Sequence, residues 1–106
     1  MNVISREELK EKLERGDDFK LVMTLSQWAY NAQHIPGSIN IDRLEDVTKF
    51  LKPEDEIVVY CSDQACIASQ VAYRILDGNG YTNIRRYSGG LSDWSAAGLP
   101  LDGTGF

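Results

Sequence analysis

Two cysteines separated by four residues are the side chains of this sequence best suited to covalent chemistry. Cys61 directly follows the apolar run Ile57–Tyr60, and Cys66 lies just before the next apolar stretch. A cysteine thiolate is a strong nucleophile that can hold a substrate fragment in a covalent intermediate. It can also be oxidised and then trapped as a disulfide by a neighbouring thiol. Residues 61–66, the cysteine loop, are therefore the candidate site.

A strand and a helix flank the cysteine loop and position it. Ile57–Tyr60 is apolar and mostly β-branched, which is typical of a strand covered on both faces. After the loop, Ile67, Val71 and Ile75 form the apolar stripe of a helix. Ligand sites of open α/β sheets lie beyond the carboxyl ends of the strands, and the N-terminus of a helix stabilises a thiolate there. We therefore expect the main-chain N–H groups of the loop to form an anion nest that needs no basic side chain.

Each cysteine also has a structural interpretation. Buried cysteines are common as small apolar residues, and Cys61 at the end of a strand fits that description. Cys66 fits two roles equally. It could be a resolving thiol that attacks a persulfide or sulfenic acid on Cys61, or a half-buried residue at the helix start that never bonds to Cys61. The sequence leaves this choice open, because disulfide geometry depends on the path of the loop.

The composition indicates one globular domain that folds without a metal or a disulfide. The chain has 106 residues, of which 42% are apolar and 25% charged, as in ordinary compact domains. The net charge of −5 mildly repels polyanions, so we expect no nucleic-acid partner. No apolar stretch approaches the roughly 20 residues needed to cross a membrane, and the N-terminus is too polar for a signal peptide. A reducing cytoplasm is the expected location, and two cysteines with one histidine are too few for a metal site.

The rest of the sequence alternates between short apolar runs and amphipathic stretches, which indicates an α/β fold with a mainly parallel sheet. Ser5 and Glu8 form a capping box, so a helix is predicted from there to Gly16. Strands are predicted at residues 3–4, 19–25, 38–41, 57–60 and 84–87. Further helices are predicted at residues 28–32, after Asp42, after Ile67 and after Gly90.

Four blocks of the sequence, taken in order, resemble the rhodanese family. The stretch from Ala32 to Ile41 is similar to the signature GHIPGAINI, and the stretch from Gly80 to Arg85 is similar to the family's GY-NV entry into a strand. The stretch from Ser88 to Pro100 resembles the ending GG---W---GLP. Cys61 falls where the family keeps its sulfur-carrying cysteine. The resemblance covers nearly the whole chain, from about Ser5 to Leu101.

The resemblance implies a doubly wound, mainly parallel sheet of about five strands with helices on both faces. It implies a rhodanese domain at residues 1–101, followed by a flexible tail at residues 102–106. It also implies a sulfurtransferase without a cofactor. A sulfane donor, thiosulfate or a persulfide, leaves one sulfur on Cys61, and a thiol, cyanide or protein acceptor removes it. In this family a six-residue loop goes with sulfur transfer, and the substrate-binding residues would be Ser62, Asp63, Gln64, Ala65, Cys66 and Ile67.

Two departures from the family pattern concern the cysteine loop itself. Cys66 stands where many active members have Arg, and Asp63 puts a negative charge in a loop without Lys or Arg. Because a guanidinium suits the thiosulfate dianion best, we expect weak thiosulfate turnover. Binding of such an anion would depend on main-chain N–H groups and on basic side chains from elsewhere, with Arg74, Arg85 and Arg86 as candidates.

A third departure lies outside the loop, where Met23 and Leu25 replace an Asp-x-Arg pair that the family often has. Two alternatives to an enzyme stay open, and the loss of the loop Arg and of this pair favours the first of them. One is a non-catalytic rhodanese-like interaction module. The other is a thiol redox sensor built on Cys61 and Cys66.

Three further positions receive structural interpretations. The resemblance gives His34 the role of bracing the turn before Pro36 by hydrogen bonds. Ser69 is predicted to lie on the surface of its helix, where it could also reach an anion bound one turn away. Gly89 and Gly90 are predicted to permit a tight turn into the last helix.

Overall fold

Four strands and five α-helices form the main elements of the computed structural model, which describes residues 1–104. The strands are β1 (Lys20–Met23), β2 (Ile39–Asn40), β3 (Ile57–Tyr60) and β4 (Ile84–Arg86). The α-helices are α1 (Arg6–Arg15), α2 (Gln27–Ala32), α3 (Val47–Phe50), α4 (Ala68–Gly78) and α5 (Gly90–Ala96), and a 3-10 turn covers Leu44–Asp46. All four strands are parallel, in the order β2-β1-β3-β4, so the predicted α/β class with a parallel sheet is confirmed. No helix among residues 1–104 is long and apolar enough to cross a membrane.

Side chains of the sheet alternate between two cores, one on each face. Val22 and Val59 pack with residues of α3 and α4 on one face. Leu21, Val58 and Tyr60 pack with residues of α1 and α5 on the other face. All four residues of β3 are buried, because this strand lies between β1 and β4 and is covered on both sides. The predicted double winding, with helices on both faces, is therefore confirmed.

The sheet has four strands in the described residues, and the prediction of about five is wrong. The strand predicted at residues 3–4 is reduced to a single bridge between Val3 and Arg86, beside β4. The Ile4 amide donates to the Arg86 carbonyl over 3.1 Å, and the Arg86 amide donates to the Asn2 carbonyl over 2.9 Å, so the pairing is one isolated bridge. Its length is limited because Ser5 already caps α1, with its Oγ accepting from the Glu8 amide at 3.1 Å. The Ser5 half of the capping box is thus confirmed and shortens the strand that precedes it, whereas the Glu8 carboxylate pairs with Arg85 at 2.6 Å.

Two segments differ in detail from their predictions. The helix predicted after Asp42 begins as the 3-10 turn, with Arg43 at its N-cap and no side-chain hydrogen bond to that cap. The segment predicted as a tail begins with bonded backbone. His34 and Asp102 exchange two hydrogen bonds of 2.9 Å, and the Thr104 amide donates to the Asn31 carbonyl over 3.0 Å. Residues 105 and 106 of that predicted tail lie outside the described residues.

The hydroxyl of Tyr60 is buried on the α1 side of the sheet, where it joins β3 to the segment before β2. It accepts a hydrogen bond from the Ile35 amide at 3.0 Å and pairs with Ser38 Oγ at 2.8 Å. Burial raises the pKa of Tyr60 from its ordinary value of 10.0 to about 12. The folded state therefore holds this proton more tightly than the unfolded state does. The resulting stabilisation is complete below the unfolded pKa and is lost as the pH rises through the folded one.

Replacing Tyr60 with Phe should lower the free energy of unfolding at neutral pH by about 1–3 kcal/mol, because the Ile35 amide loses its buried acceptor. Above the unfolded pKa of 10.0 and up to about 12, the difference between wild type and Tyr60→Phe should shrink, since only the wild type loses the contribution of this hydroxyl. Urea unfolding at a series of pH values measures both effects. A difference that stays constant across the alkaline range would contradict the assigned role of the hydroxyl.

Candidate functional site

Cys61 lies at the carboxyl end of the central strand β3, where the cysteine loop begins. Pairing of β3 with β1 runs to Tyr60, and the Thr24 amide donates to the Tyr60 carbonyl over 3.0 Å. Since Tyr60 packs on the α1 side of the sheet, alternation along the chain turns Cys61 toward α4. Cys61 is only 1% exposed. The predicted order of strand, cysteine, loop and helix is confirmed.

A disulfide joins Cys61 to Cys66, so the expectation of a fold without a disulfide is wrong. Their Cα atoms are 6.5 Å apart, within the range of about 4.4–6.8 Å that disulfides span. Of the two interpretations of Cys66, the structure therefore supports the bonded one. The two cysteines differ in accessibility, because Cys61 is buried and Cys66 is half-buried. In this oxidised state Cys61 has no thiol and cannot act as a nucleophile.

The carboxylate of Asp63 binds main-chain N–H groups of its own loop. Its Oδ1 accepts from the Ala65 amide at 3.0 Å and from the Cys66 amide at 3.1 Å. The Cys66 amide also donates to the Asp63 carbonyl over 3.2 Å. The predicted nest of amides around the Cys61 sulfur is therefore incomplete, because an internal carboxylate already takes two of the amides that it would need.

A buried arginine lies behind the cysteine loop and binds its backbone. Arg86, the last residue of β4, is 6% exposed. Its Nη2 donates to the carbonyls of Gln64 and Cys66 over 3.2 and 3.3 Å, and its Nε donates to Ser69 Oγ over 2.8 Å. Among residues 1–104, no carboxylate forms an ion pair with this guanidinium. Its positive charge is therefore balanced by neutral dipoles, and a nearby anion would be stabilised by it.

Ser69 connects this guanidinium to the sulfur of Cys61. Ser69 is fully buried in the first turn of α4, and its Oγ lies 3.5 Å from Cys61 Sγ. Because Arg86 donates to the Ser69 oxygen, the hydroxyl hydrogen is free to point at the sulfur, which carries no hydrogen in the disulfide. A thiolate on Cys61 would accept the same hydrogen bond. A basic side chain from outside the loop thus binds the hydroxyl that faces the sulfur, where the sequence had predicted main-chain amides alone.

The beginning of α5 supports the cysteine loop through its backbone. The Leu91 amide donates to the Cys61 carbonyl over 3.0 Å, and the Ser92 amide donates to the Ser62 carbonyl over 2.8 Å. Gly90 permits this close approach, because its φ is 62° and a Cβ at this position would run into the Cys61 carbonyl oxygen. Gly90 therefore shapes the site in addition to making the predicted turn.

The remaining predicted substrate-binding residues lie together in or next to the loop. Asp63, Gln64, Ala65 and Ile67 are exposed, and Ser62 is half-buried. Two of the three candidate arginines do not donate to the cysteine loop in the described structure. Arg74 is exposed on α4, and Arg85 pairs with Glu8 at 2.6 Å. The cation at the site is therefore Arg86 alone among these three.

The side chains of Asn40 and His34 each bind main-chain carbonyls near the site. At the positions without the Asp-x-Arg pair, the side-chain amide of Asn40 donates to the carbonyls of Met23 and Leu25 over 3.2 and 2.8 Å. A neutral amide thus ties the end of β1 to β2. His34 bonds through Nδ1 to the Tyr30 carbonyl at 2.7 Å and stacks on the Tyr30 ring at 3.9 Å. The His34 ring thus makes a hydrogen bond as predicted, but its partner lies in α2 and not in the turn before Pro36.

The prediction that Ser69 lies on the helix surface is wrong, because α4 is rotated relative to the predicted stripe. The buried residues of α4 are Ser69, Ala72, Tyr73 and Leu76. Their spacing of three and four residues is a helical face that the sequence already contains. Arg86 lies two residues after the buried Ile84 and is itself buried, so it occupies an inward position of β4. Both residues could have been found from the sequence by counting polar residues as members of the buried face, Ser69 in the helical pattern of α4 and Arg86 in the alternating pattern of β4.

Comparisons with known proteins place this site in a family context. The Rhodanese-like domain family matches residues 5–97 of the chain. An HTH-type transcriptional regulator of Mycobacterium tuberculosis is 36% identical over 107 residues, which cover 95% of this chain and 45% of that protein. The chain thus spans less than half the length of this curated relative.

Two solved structures share the fold over nearly the full chain. The rhodanese-like domain of an Anabaena protein superposes with a TM-score of 0.85 at 27% identity, covering 99% of this chain and 81% of that one. A human single-domain sulfurtransferase superposes with a TM-score of 0.77 at 25% identity, covering 91% of this chain and 96% of that one.

Gly90→Ala should destabilise the protein more than Gly98→Ala does. Both glycines have positive φ, 62° and 72°, where a Cβ costs about 1–2 kcal/mol. At Gly90 the Cβ also meets loop backbone, whereas at Gly98 nothing lies within 4 Å. We expect a loss of about 1 kcal/mol for Gly98→Ala and at least about 2 kcal/mol for Gly90→Ala. Urea unfolding measures both losses, and equal values would show that α5 does not press on the cysteine loop.

Proposed function

Because the chain belongs to the rhodanese-like domain family, we propose that it is a sulfurtransferase in which reduced Cys61 carries a sulfane sulfur as a persulfide. Cys61 sits at the carboxyl end of β3, where open α/β sheets bind ligands, and the Ser69 hydroxyl lies 3.5 Å from its sulfur. The observation that carries the proposal is the buried guanidinium of Arg86 behind that hydroxyl. Its positive charge, unpaired with any carboxylate of the described residues, favours a negative sulfur on Cys61.

The proposed reaction consists of two displacements at sulfur. In the first, the Cys61 thiolate attacks the outer sulfur of a persulfide donor R–S–SH, which gives Cys61–S–SH and releases RS⁻. In the second, a thiolate or cyanide acceptor attacks the outer sulfur, breaks its bond to Cys61 Sγ and restores the thiolate. Cys61 is the nucleophile of the first step and the leaving group of the second, so stabilising its thiolate assists both steps. Neither step needs a cofactor.

A donor of low charge suits this site better than thiosulfate does. The cysteine loop has no Lys or Arg, and the carboxylate of Asp63 is exposed beside the site. Nε and Nη2 of Arg86 already donate to Ser69 and to loop carbonyls. The guanidinium therefore has no free pair of parallel N–H groups with which to bind an oxyanion in a bidentate manner. We therefore favour a thiol-bound persulfide as donor, held mainly by the backbone of residues 62–67. The acceptor is a thiol, cyanide or a protein, and a reducing compartment such as the cytoplasm would keep Cys61 available.

A thiol redox sensor is the second candidate, and the disulfide favours it. In this function an oxidant converts Cys61 to a sulfenic acid, and Cys66 then resolves it to the disulfide seen in the structure. The mycobacterial relative is named a transcriptional regulator and is more than twice as long as the chain. In a protein of that kind, the state of the cysteine loop could be passed to another domain.

Intact mass separates the candidates when reduced protein is incubated with glutathione persulfide and, separately, with mild peroxide. We expect Cys66→Ser to gain one sulfur atom from the persulfide, because it keeps the nucleophile and lacks the resolving thiol. Cys61→Ser, a matched change in the same loop, should gain none. Loss of two hydrogens by wild type under peroxide, with no sulfur uptake by Cys66→Ser, would contradict the sulfurtransferase and support the sensor. No change in either treatment would indicate a non-catalytic interaction module.

Ser69→Ala, made in the Cys66→Ser background, should slow persulfide formation at neutral pH by about threefold to tenfold, because the Cys61 thiolate loses a hydrogen bond. The pH at which the rate is half-maximal should also rise, which a merely structural role of Ser69 would not produce. Ser62→Ala makes the same chemical change within the loop and should leave this midpoint where it is. The rates are followed by intact mass across pH, and an unmoved midpoint in Ser69→Ala would remove Ser69 from the account.

A further inference from the structure

Building on the proposed persulfide chemistry, we propose a further activity, in which Cys66 discharges the Cys61 persulfide and releases sulfide. In the structure, Cys61 Sγ is bonded to one other sulfur, which belongs to Cys66. The outer sulfur of a persulfide requires the same bond from Cys61 Sγ. The sulfane sulfur and Cys66 are therefore alternative partners of one atom, and formation of the disulfide must expel the sulfane sulfur.

The discharge step balances as an exchange at sulfur. The Cys66 thiolate attacks Cys61 Sγ, and the bond from Cys61 Sγ to the outer sulfur breaks. That sulfur leaves as HS⁻, with the electron pair of the broken bond and its own proton. The two cysteines are oxidised to a disulfide while the sulfane sulfur is reduced to sulfide. A dithiol reductant then reopens the disulfide by two further exchanges, so the net reaction turns a persulfide and a dithiol into a thiol, sulfide and the oxidised dithiol.

Hydrogen bonds that do not involve sulfur hold Cys66 close to Cys61. The Cys66 amide donates to Asp63 Oδ1 at 3.1 Å, and the Cys66 carbonyl accepts from Arg86 at 3.3 Å. At the other end of the loop, the Leu91 amide binds the Cys61 carbonyl at 3.0 Å. None of these contacts involves sulfur, so reducing the disulfide removes none of them directly, and they favour the separation of the two backbones that the bond needs. An intramolecular attack of this kind outcompetes a dilute external acceptor.

The difference in exposure between the two cysteines sets the direction of the reductive step. Cys61 is buried and Cys66 is half-buried, so an incoming thiolate reaches Cys66 Sγ first. Attack at that sulfur forms a mixed disulfide on Cys66 and expels Cys61 as a thiolate. Cys61 is also the better leaving group, because the Ser69 hydroxyl lies 3.5 Å from its sulfur and Arg86 donates a hydrogen bond to that hydroxyl. Each reduction thus returns Cys61 in its nucleophilic form.

The test treats reduced wild type, Cys66→Ser and Cys61→Ser with one equivalent of glutathione persulfide, then measures free sulfide and intact mass. In wild type we expect about one sulfide per chain together with loss of two hydrogens. Cys66→Ser should keep its added sulfur and release sulfide at least about tenfold more slowly. Cys66→Ala repeats this comparison without a hydroxyl at the position, and Cys61→Ser gives the background release from the donor itself.

Failure of this inference can be told apart from failure of the proposed function. If wild type and Cys66→Ser both hold a stable persulfide and release sulfide at equal rates, Cys66 does not discharge Cys61, although sulfur transfer stands. If neither protein takes up sulfur, the two proposals fall together. The direction of reduction is read by adding glutathione to the oxidised protein and mapping the mixed disulfide, which should lie on Cys66. A mixed disulfide on Cys61 would overturn the assigned direction.

Discussion

A buried positive charge without a carboxylate partner in the described residues is the constraint on which the site depends. The Arg86 guanidinium is 6% exposed and bonds neutral groups, namely the Ser69 hydroxyl and the carbonyls of Gln64 and Cys66. Taking such a charge out of water is unfavourable unless hydrogen bonds and an anion replace the water. The neutral partners meet part of this need, and a negative sulfur on Cys61 would meet more of it. One side chain therefore both holds the cysteine loop in place and favours the reactive form of its first cysteine.

The parallel sheet brings these groups together through the alternation of its side chains. Tyr60 packs on the α1 side, so the next residue along the chain turns toward α4, where Ser69 lies buried. β4 pairs with β3 and ends at Arg86, which places the guanidinium beside the same end of the sheet. The opposite face holds the Tyr60 hydroxyl with Ser38. Because side chains of a strand alternate between the two faces, the structural pair of Tyr60 and Ser38 lies on one face of the sheet. Ser69 and Arg86, the polar groups around Cys61, lie on the other face.

Sequence patterns predicted the elements well where one physical requirement dominated. The bounds of β3 were predicted because four consecutive apolar or aromatic residues need cover on both faces. The start of α1 was predicted because a serine three residues before a glutamate is typical of a helix N-cap. The prediction of a strand at residues 3–4 was wrong because strand pairing there competes with the role of Ser5 as the N-cap of α1. Ser69 was misplaced because the rotation of α4 depends on what the helix packs against. The bond between Cys61 and Cys66 depends on the path of the loop. That path is fixed by hydrogen bonds from Asp63 within the loop and from Arg86 and the start of α5, which are distant in sequence.

The titration of Cys61 in the reduced protein tests this account most directly. In Cys66→Ser, Cys61 is the sole remaining cysteine, so the carbon-13 shift of its labelled Cβ reports the fraction of thiolate at each pH. The account predicts a pKa for this thiol clearly below the ordinary value of about 8.5, because a hydroxyl and a buried guanidinium favour the charged form. A pKa at or above about 8.5 would show that burial outweighs both groups, and the proposed role of Arg86 at the sulfur would be contradicted.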